Sequence, residues 1–124
     1  MTIKKLQKLC HKIATEKGFW DIECIDCGYT VSGKEIPLEG CPECHSINFT
    51  SRNNAELLML MVTELGEACE ALRHGDWEHV REEVADCVIR IMDFCEARDI
   101  NLEEEISKKI EKNKKRPYRH GKQF

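Results

Sequence analysis

The chain is expected to be all-α, a bundle of about four helices with a small cysteine-bearing insert between the first two. Three observations predict this. Apolar residues recur at helical spacing in four separate stretches. The later stretches open on Asn53, Asp76 and Asn101, residues that cap helices. Between residues 22 and 50 the pattern breaks and two C-x-x-C pairs take its place. A length of 124 residues, 41% hydrophobic and 34% charged, suits one compact domain with such an insert. We expect residues 1–21 and 51–124 to form the helical domain and residues 22–50 the insert.

The first helix should span residues 2–17, with Ile3, Leu6, Cys10 and Ile13 on its buried side and Gly18 ending it. Phe19 and Trp20 follow as a hydrophobic cap, although a Trp beside a cleft can also stack on a base. The segment has no apolar run of signal-peptide length, and no stretch approaches a membrane span. A cytoplasmic protein without membrane contact is therefore the expectation. The remaining cysteines, Cys10, Cys69, Cys87 and Cys95, lie singly in helical patterns, as reduced thiols do.

Cys24 and Cys27, with Cys41 and Cys44, form two knuckles separated by the turn-rich segment Thr30–Gly40. Two thiolate pairs at this spacing can close a tetrahedral four-sulfur site, and Gly28 lets the backbone turn its amides toward sulfur. The segment resembles a zinc ribbon and also the rubredoxin type of knuckle, where iron takes the same place; spacing does not separate structural Zn²⁺ from Fe. A closed four-cysteine site leaves no position for substrate, so its role should be structural.

The second helix, Ala55–Arg73, is apolar on two sides. Leu58, Met61, Val62, Leu65, Ala68, Cys69 and Leu72 make one face, and Leu57, Leu60, Glu64, Glu67 and Ala71 another, so two acids sit in an apolar stripe. Packing on both sides implies a larger bundle or an oligomer. After the turn at His74-Gly75-Asp76, the third helix should bury Trp77, Val80, Val84, Cys87, Val88, Ile91, Phe94 and Cys95, with Glu83, Asp86, Arg90 and Asp93 along the margin.

The acids mirror one another about this turn. Glu64 and Glu67 stand 11 and 8 residues before Gly75, and Glu83 and Asp86 stand 8 and 11 after it. In an antiparallel pair Glu67 comes level with Glu83 and Glu64 with Asp86. Two carboxylates at 4 Å repel by about 4 kcal/mol at an effective dielectric near 20, so protons or a hard cation must relieve the cluster. Oxygen ligands without His or Cys favour Mg²⁺ or Mn²⁺, ions that also bind substrate phosphates. Single surface acids would be the ordinary reading; the mirror register and the apolar neighbours argue against it.

The fourth helix should start after Asn101 and bury Leu102, Ile106 and Ile110. Residues 108–122 hold eight Lys or Arg against one acid, in a chain whose formal charge is -4. The overall charge argues against a general binder of nucleic-acid polymers, while the basic tail is a source of cations for a polyphosphate.

The run Glu64-Leu-Gly-Glu67, a spacer, Glu83-Val-Ala-Asp86, then Lys109-x-x-x-Asn113-x-x-Arg116-Pro resembles the MazG-like all-alpha nucleoside triphosphate pyrophosphohydrolases. The resemblance covers residues 2–21 and 51–124. It implies hydrolysis of a nucleoside triphosphate to the monophosphate and pyrophosphate, in a nucleotide-pool house-cleaning role, and a homodimer or homotetramer. Glu64, Glu67, Glu83 and Asp86 would be the catalytic Mg²⁺ ligands, and Lys109, Asn113 and Arg116 would reach nucleotide and phosphate. Arg119, His120 and Lys122 join them on charge and position, and Trp20, Arg52 and Asn53, which flank the insert, are candidates for the base pocket. Two other classes fit parts of the chain. A rubrerythrin-like iron redox protein needs E-x-x-H pairs in its bundle, and this chain has none. A non-catalytic zinc-ribbon adaptor would leave the acids as surface charge.

Overall fold

The computed structural model describes residues 1–31, 36–50 and 52–124. Helices α1 (Ile3–Glu16), α2 (Asn54–Arg73), α3 (Trp77–Ala97) and α4 (Leu102–Lys114) account for the bundle, and strands β1 (Ile22–Glu23) and β2 (Thr30–Val31) lie in the insert. The fold is the expected one. Residues 32–35 of the turn-rich segment and Ser51, at the start of the expected second helical part, lie outside the described residues.

Each helix begins where a side chain can satisfy its free amides. Thr2 accepts from the Lys5 amide, Asn53 from Ala55 and Glu56, Asp76 from His79, and Asn101 from Glu104. The turn between α2 and α3 runs through Gly75 at φ +71°, a left-handed conformation that glycine adopts without strain. Helix α2 packs along α3, α1 packs on the other side of α3, and α4 rests on α1. Gln7 ties these together from the buried side of α1, donating to Glu96 (2.8 Å) and to the Ile100 carbonyl (2.9 Å).

The buried faces differ from those expected. On α2, Leu57, Met61, Glu64, Ala68 and Ala71 turn inward, while Leu58, Val62, Leu65 and Leu72 stay about half exposed. On α3, Glu83, Cys87, Met92 and Cys95 are buried, and Trp77, Val84 and Val88 are exposed. On α1, Ile13 is exposed, and α4 buries nothing, its Ile106 and Ile110 lying open. Periodicity marks α2 as apolar on two sides; the buried stripe straddles them, taking Met61 and Ala68 from the first and Leu57, Glu64 and Ala71 from the second.

In the insert, β1 pairs antiparallel with β2, Ile22 opposite Val31 and Glu23 opposite Thr30, and Cys24 bridges to Phe49. This brings the two knuckles together. Gly40, at φ +84°, runs so close to the second knuckle that a Cβ there would stand 2.9 Å from the His45 carbonyl oxygen, a contact only glycine avoids.

Candidate functional site

Glu64, Glu83 and Asp86 each place a carboxylate oxygen within 4.8 Å of the others. The hairpin register creates this group, because the short turn brings the C-terminal half of α2 against the N-terminal half of α3. Glu64 and Glu83 are buried and Asp86 is exposed. Glu67 stands outside the triad on the exposed rim, yet interacts with two of its members: hydrogen bonding first with Glu64 and then with Glu83 holds its carboxyl above the ordinary range. The acids of both motifs therefore converge, three with oxygens within 4.8 Å of one another and the fourth beside them.

Two nitrogen-bearing side chains lie among the acids, Arg90 and His79. Arg90 donates its Nε–H to Glu64 and thereby holds that carboxyl below its usual range, against the opposing effect of burial. His79 Nε2 lies 2.6 Å from Glu83 Oε1, one turn back on α3. Sequence places Arg90 on the helix margin but does not pair it; its signal is the spacing Asp86, Arg90, Asp93, which runs down one face of α3. The donor set is oxygen-only and carries more negative charge than Arg90 cancels, which fits Mg²⁺ or Mn²⁺.

Glu64 and Asp86 of the triad line a cleft of about 470 Å³ between α1 and α3. Glu64, Asp86, Arg90, Asp93 and Arg52 supply its polar lining, and Leu6, Leu9, Ile13, Phe19 and Ile89 supply apolar walls. Trp20 is not on that surface. It is 4% exposed, donates its Nε1–H to Asp93 (2.9 Å), and has the Arg52 and Arg98 guanidiniums 5.8 and 5.6 Å from its ring. Asn53 is engaged as the α2 cap. His11, absent from the sequence candidates, pairs with Asp93 at 2.6 Å; its only sequence signal is a polar residue four after Gln7 on the buried side of α1.

Lys109 and Asn113 lie on α4 and Arg116 just beyond it, and among the described residues none of the three lines the cleft. The Asn113 side-chain oxygen is buried without a hydrogen bond among the described residues. Arg119, His120 and Lys122 line a separate hollow in the tail with Gln123 and Phe124.

The second cluster is the sulfur one. Cys24 and Cys44 stand 3.6 Å apart and Cys27 and Cys41 3.5 Å apart, all unbonded. Four sulfurs at about 2.3 Å from a tetrahedral zinc would be separated by about 3.8 Å, so the set fits such an ion. Cys41 is brought down to about 7: burial opposes this, but the Cys44 and Glu43 amides and the neighbouring thiols outweigh it. Cys27 is pushed up to about 12, since burial and three adjacent sulfurs overcome the Tyr29 amide that favours its thiolate.

The fold and the site together define a carboxylate-centred helical bundle carrying a four-cysteine insert of zinc-ribbon type. Residues 52–120 match the family model of the MazG nucleotide pyrophosphohydrolase domain, more than half of the chain, and the protein belongs to that family. No curated protein and no solved structure matches the chain significantly.

Proposed function

We propose that the protein is a Mg²⁺-dependent nucleoside triphosphate pyrophosphohydrolase that converts a (d)NTP and water to the (d)NMP and pyrophosphate, with a house-cleaning role in the nucleotide pool. The observation that carries this reading is the convergence of Glu64, Glu83 and Asp86, with Glu67 beside them, in a MazG domain where Glu64 and Asp86 also line a cleft. A divalent ion held there would neutralise charge on phosphate oxygens. Glu64, Glu67, Glu83 and Asp86 would hold it, Mn²⁺ being able to replace Mg²⁺. One of these carboxylates would orient or deprotonate the attacking water. Arg90 and Arg52 line the same cleft and supply positive charge for the triphosphate.

Lys109, Asn113, Arg116, Arg119, His120 and Lys122 complete the substrate site in this reading. They lie away from the acids of their own chain, which fits a homodimer or homotetramer. Support for assembly comes from the half-exposed Leu58, Val62, Leu65 and Leu72, a stripe with the spacing of a helix–helix seam. The four cysteines would hold a structural Zn²⁺ that folds the insert.

The test is a product analysis. The protein is incubated with Mg²⁺ and a panel of standard and modified NTPs and dNTPs, and nucleotides, pyrophosphate and orthophosphate are resolved. Monophosphate and pyrophosphate in equal amounts support the reading. Diphosphate with orthophosphate contradicts the pyrophosphohydrolase reading, and no turnover with either Mg²⁺ or Mn²⁺ contradicts it and favours the adaptor.

A further inference from the structure

The cleft holds one carboxylate beyond the metal-type cluster. Asp93 lies seven residues after Asp86 on α3, two turns and about 10 Å further along the axis. It is therefore set apart from the acids that would meet phosphate, on the scale of the nucleoside part of a nucleotide. Two donors hold it. His11 Nδ1 lies 2.6 Å from Oδ1, and Trp20 Nε1 lies 2.9 Å from Oδ1 and 3.1 Å from Oδ2. The His11 ring must carry its proton on Nδ1 in this pair, because a carboxylate only accepts.

Neither donor lines the cleft, whereas Asp93 does. They grip the carboxylate from behind and fix its direction. Among the described residues Oδ1 takes two bonds and Oδ2 only the longer half of a shared N–H, so the carboxylate keeps acceptor capacity toward the cavity. The cavity beside it has apolar walls, Leu6, Leu9 and Ile13 from α1 and Ile89 from α3, with Phe19 56% exposed at the edge, while Arg52 and Arg90 on the same lining are the groups assigned above to the triphosphate. Apolar walls beside a fixed, acceptor-only group suit a flat heteroaromatic ring that presents an N–H donor. It disfavours a ring presenting a carbonyl there, which would face the carboxylate oxygen without a hydrogen between them.

We propose that Asp93, positioned by His11 and Trp20, is the specificity-determining residue of the base pocket and selects bases with an exocyclic amino group over their carbonyl counterparts, cytosine over uracil and adenine over hypoxanthine. The inference rests on the nucleotide reading given above. Phe19, not the buried Trp20, is the aromatic wall against which the base lies.

The test compares CTP with UTP and ATP with ITP, pairs matched in ring size and phosphate chain, by kcat/KM for pyrophosphate release in the presence of Mg²⁺. The amino member is expected to lead by tenfold or more in each ring class that is turned over, mainly through KM. In Asp93→Asn the ratio falls to near one or reverses, since an amide can offer its own N–H to a carbonyl. Should that variant not fold, Asp93→Glu displaces the carboxylate while keeping the charge, and it too should lower the ratio. Binding of non-hydrolysable triphosphate analogues is read separately by Trp20 fluorescence in Trp77→Phe, a change at an exposed residue outside the site. Selective binding without turnover keeps this inference and removes the hydrolytic one. Turnover without discrimination, discrimination that survives in both Asp93 variants, or absence of nucleotide binding overturns it.

Discussion

Arg90 of α3 donates to Glu64 of α2 across the hairpin, so the most buried acid of the cluster has a cationic partner from its own chain. A buried carboxylate needs such a partner, and removing it leaves the charge uncompensated. Arg90→Ala is accordingly expected to destabilise the metal-free protein by about 1–3 kcal/mol, with Mg²⁺ restoring part of the loss. Thermal unfolding with and without Mg²⁺ checks this; an unchanged melting temperature in the metal-free variant would show that the pair contributes nothing.

Glu67 and Glu64 respond to pH in opposite directions. The Glu67 carboxyl is raised by Glu64 and Glu83, so its contribution to stability is present below its unfolded value and is lost as pH rises through the folded one. Glu64 is lowered by Arg90, so its contribution is present above the unfolded value and is lost as pH falls through the folded one. On mild acidification from neutrality, Glu67 takes up its proton first. Mg²⁺ affinity should fall there, before the fold weakens, and the fall should be much shallower in Glu67→Gln. Calorimetric Mg²⁺ titration across that range measures it, and an identical pH dependence in the variant would contradict the assignment.

Cys24 is wholly buried among the four sulfurs. Cys24→Ser should lose the bound ion and the order of the insert while the helices stay folded, because α1–α4 pack on one another and not through the knuckles. Metal content and far-ultraviolet circular dichroism report the two halves of this prediction. Colourless wild-type protein with one zinc per chain fits; a visible absorption band would indicate iron, and loss of helix in the variant would show that the insert supports the bundle.

Val62 and Leu72 lie on the half-exposed stripe of α2, clear of the inward-facing acids. If a second copy covers that stripe, Val62→Asp or Leu72→Asp should shift the protein to monomer while leaving secondary structure intact. Light scattering after size exclusion decides it: a wild-type monomer, or an oligomer unaffected by both changes, would remove the stripe from the interface.

Much of this was legible from local chemistry. Asn53, Asp76 and Asn101 mark their helices because only a short polar side chain satisfies free amides there. The mirrored spacing about Gly75 brings the acids together because both helices rise equally per residue. The two C-x-x-C pairs carry their own geometry. What sequence does not carry is where on a helix apolar on two sides the buried stripe falls: Leu58, Val62, Leu65 and Leu72 stay half exposed, while Leu57, Met61, Ala68 and Ala71, drawn from both sides, are buried. Nor does it carry pairings made at long range. His11 and Asp93 are 82 positions apart and meet only because α1 lies on α3. Arg90 reads as a marginal surface charge until Glu64 is seen to be buried.

The central claim is that the hairpin acids hold the ion on which pyrophosphate release depends. The measurement that tests it most directly is pyrophosphate release as a function of Mg²⁺ for the wild type, Glu67→Gln and Asp86→Asn. Saturable Mg²⁺ dependence in the wild type is predicted, with a loss of about 100-fold or more in each variant and metal-free stability unchanged or slightly raised, because each change removes a repelling charge. Full activity retained in either variant, or release independent of Mg²⁺ and Mn²⁺, would contradict the account.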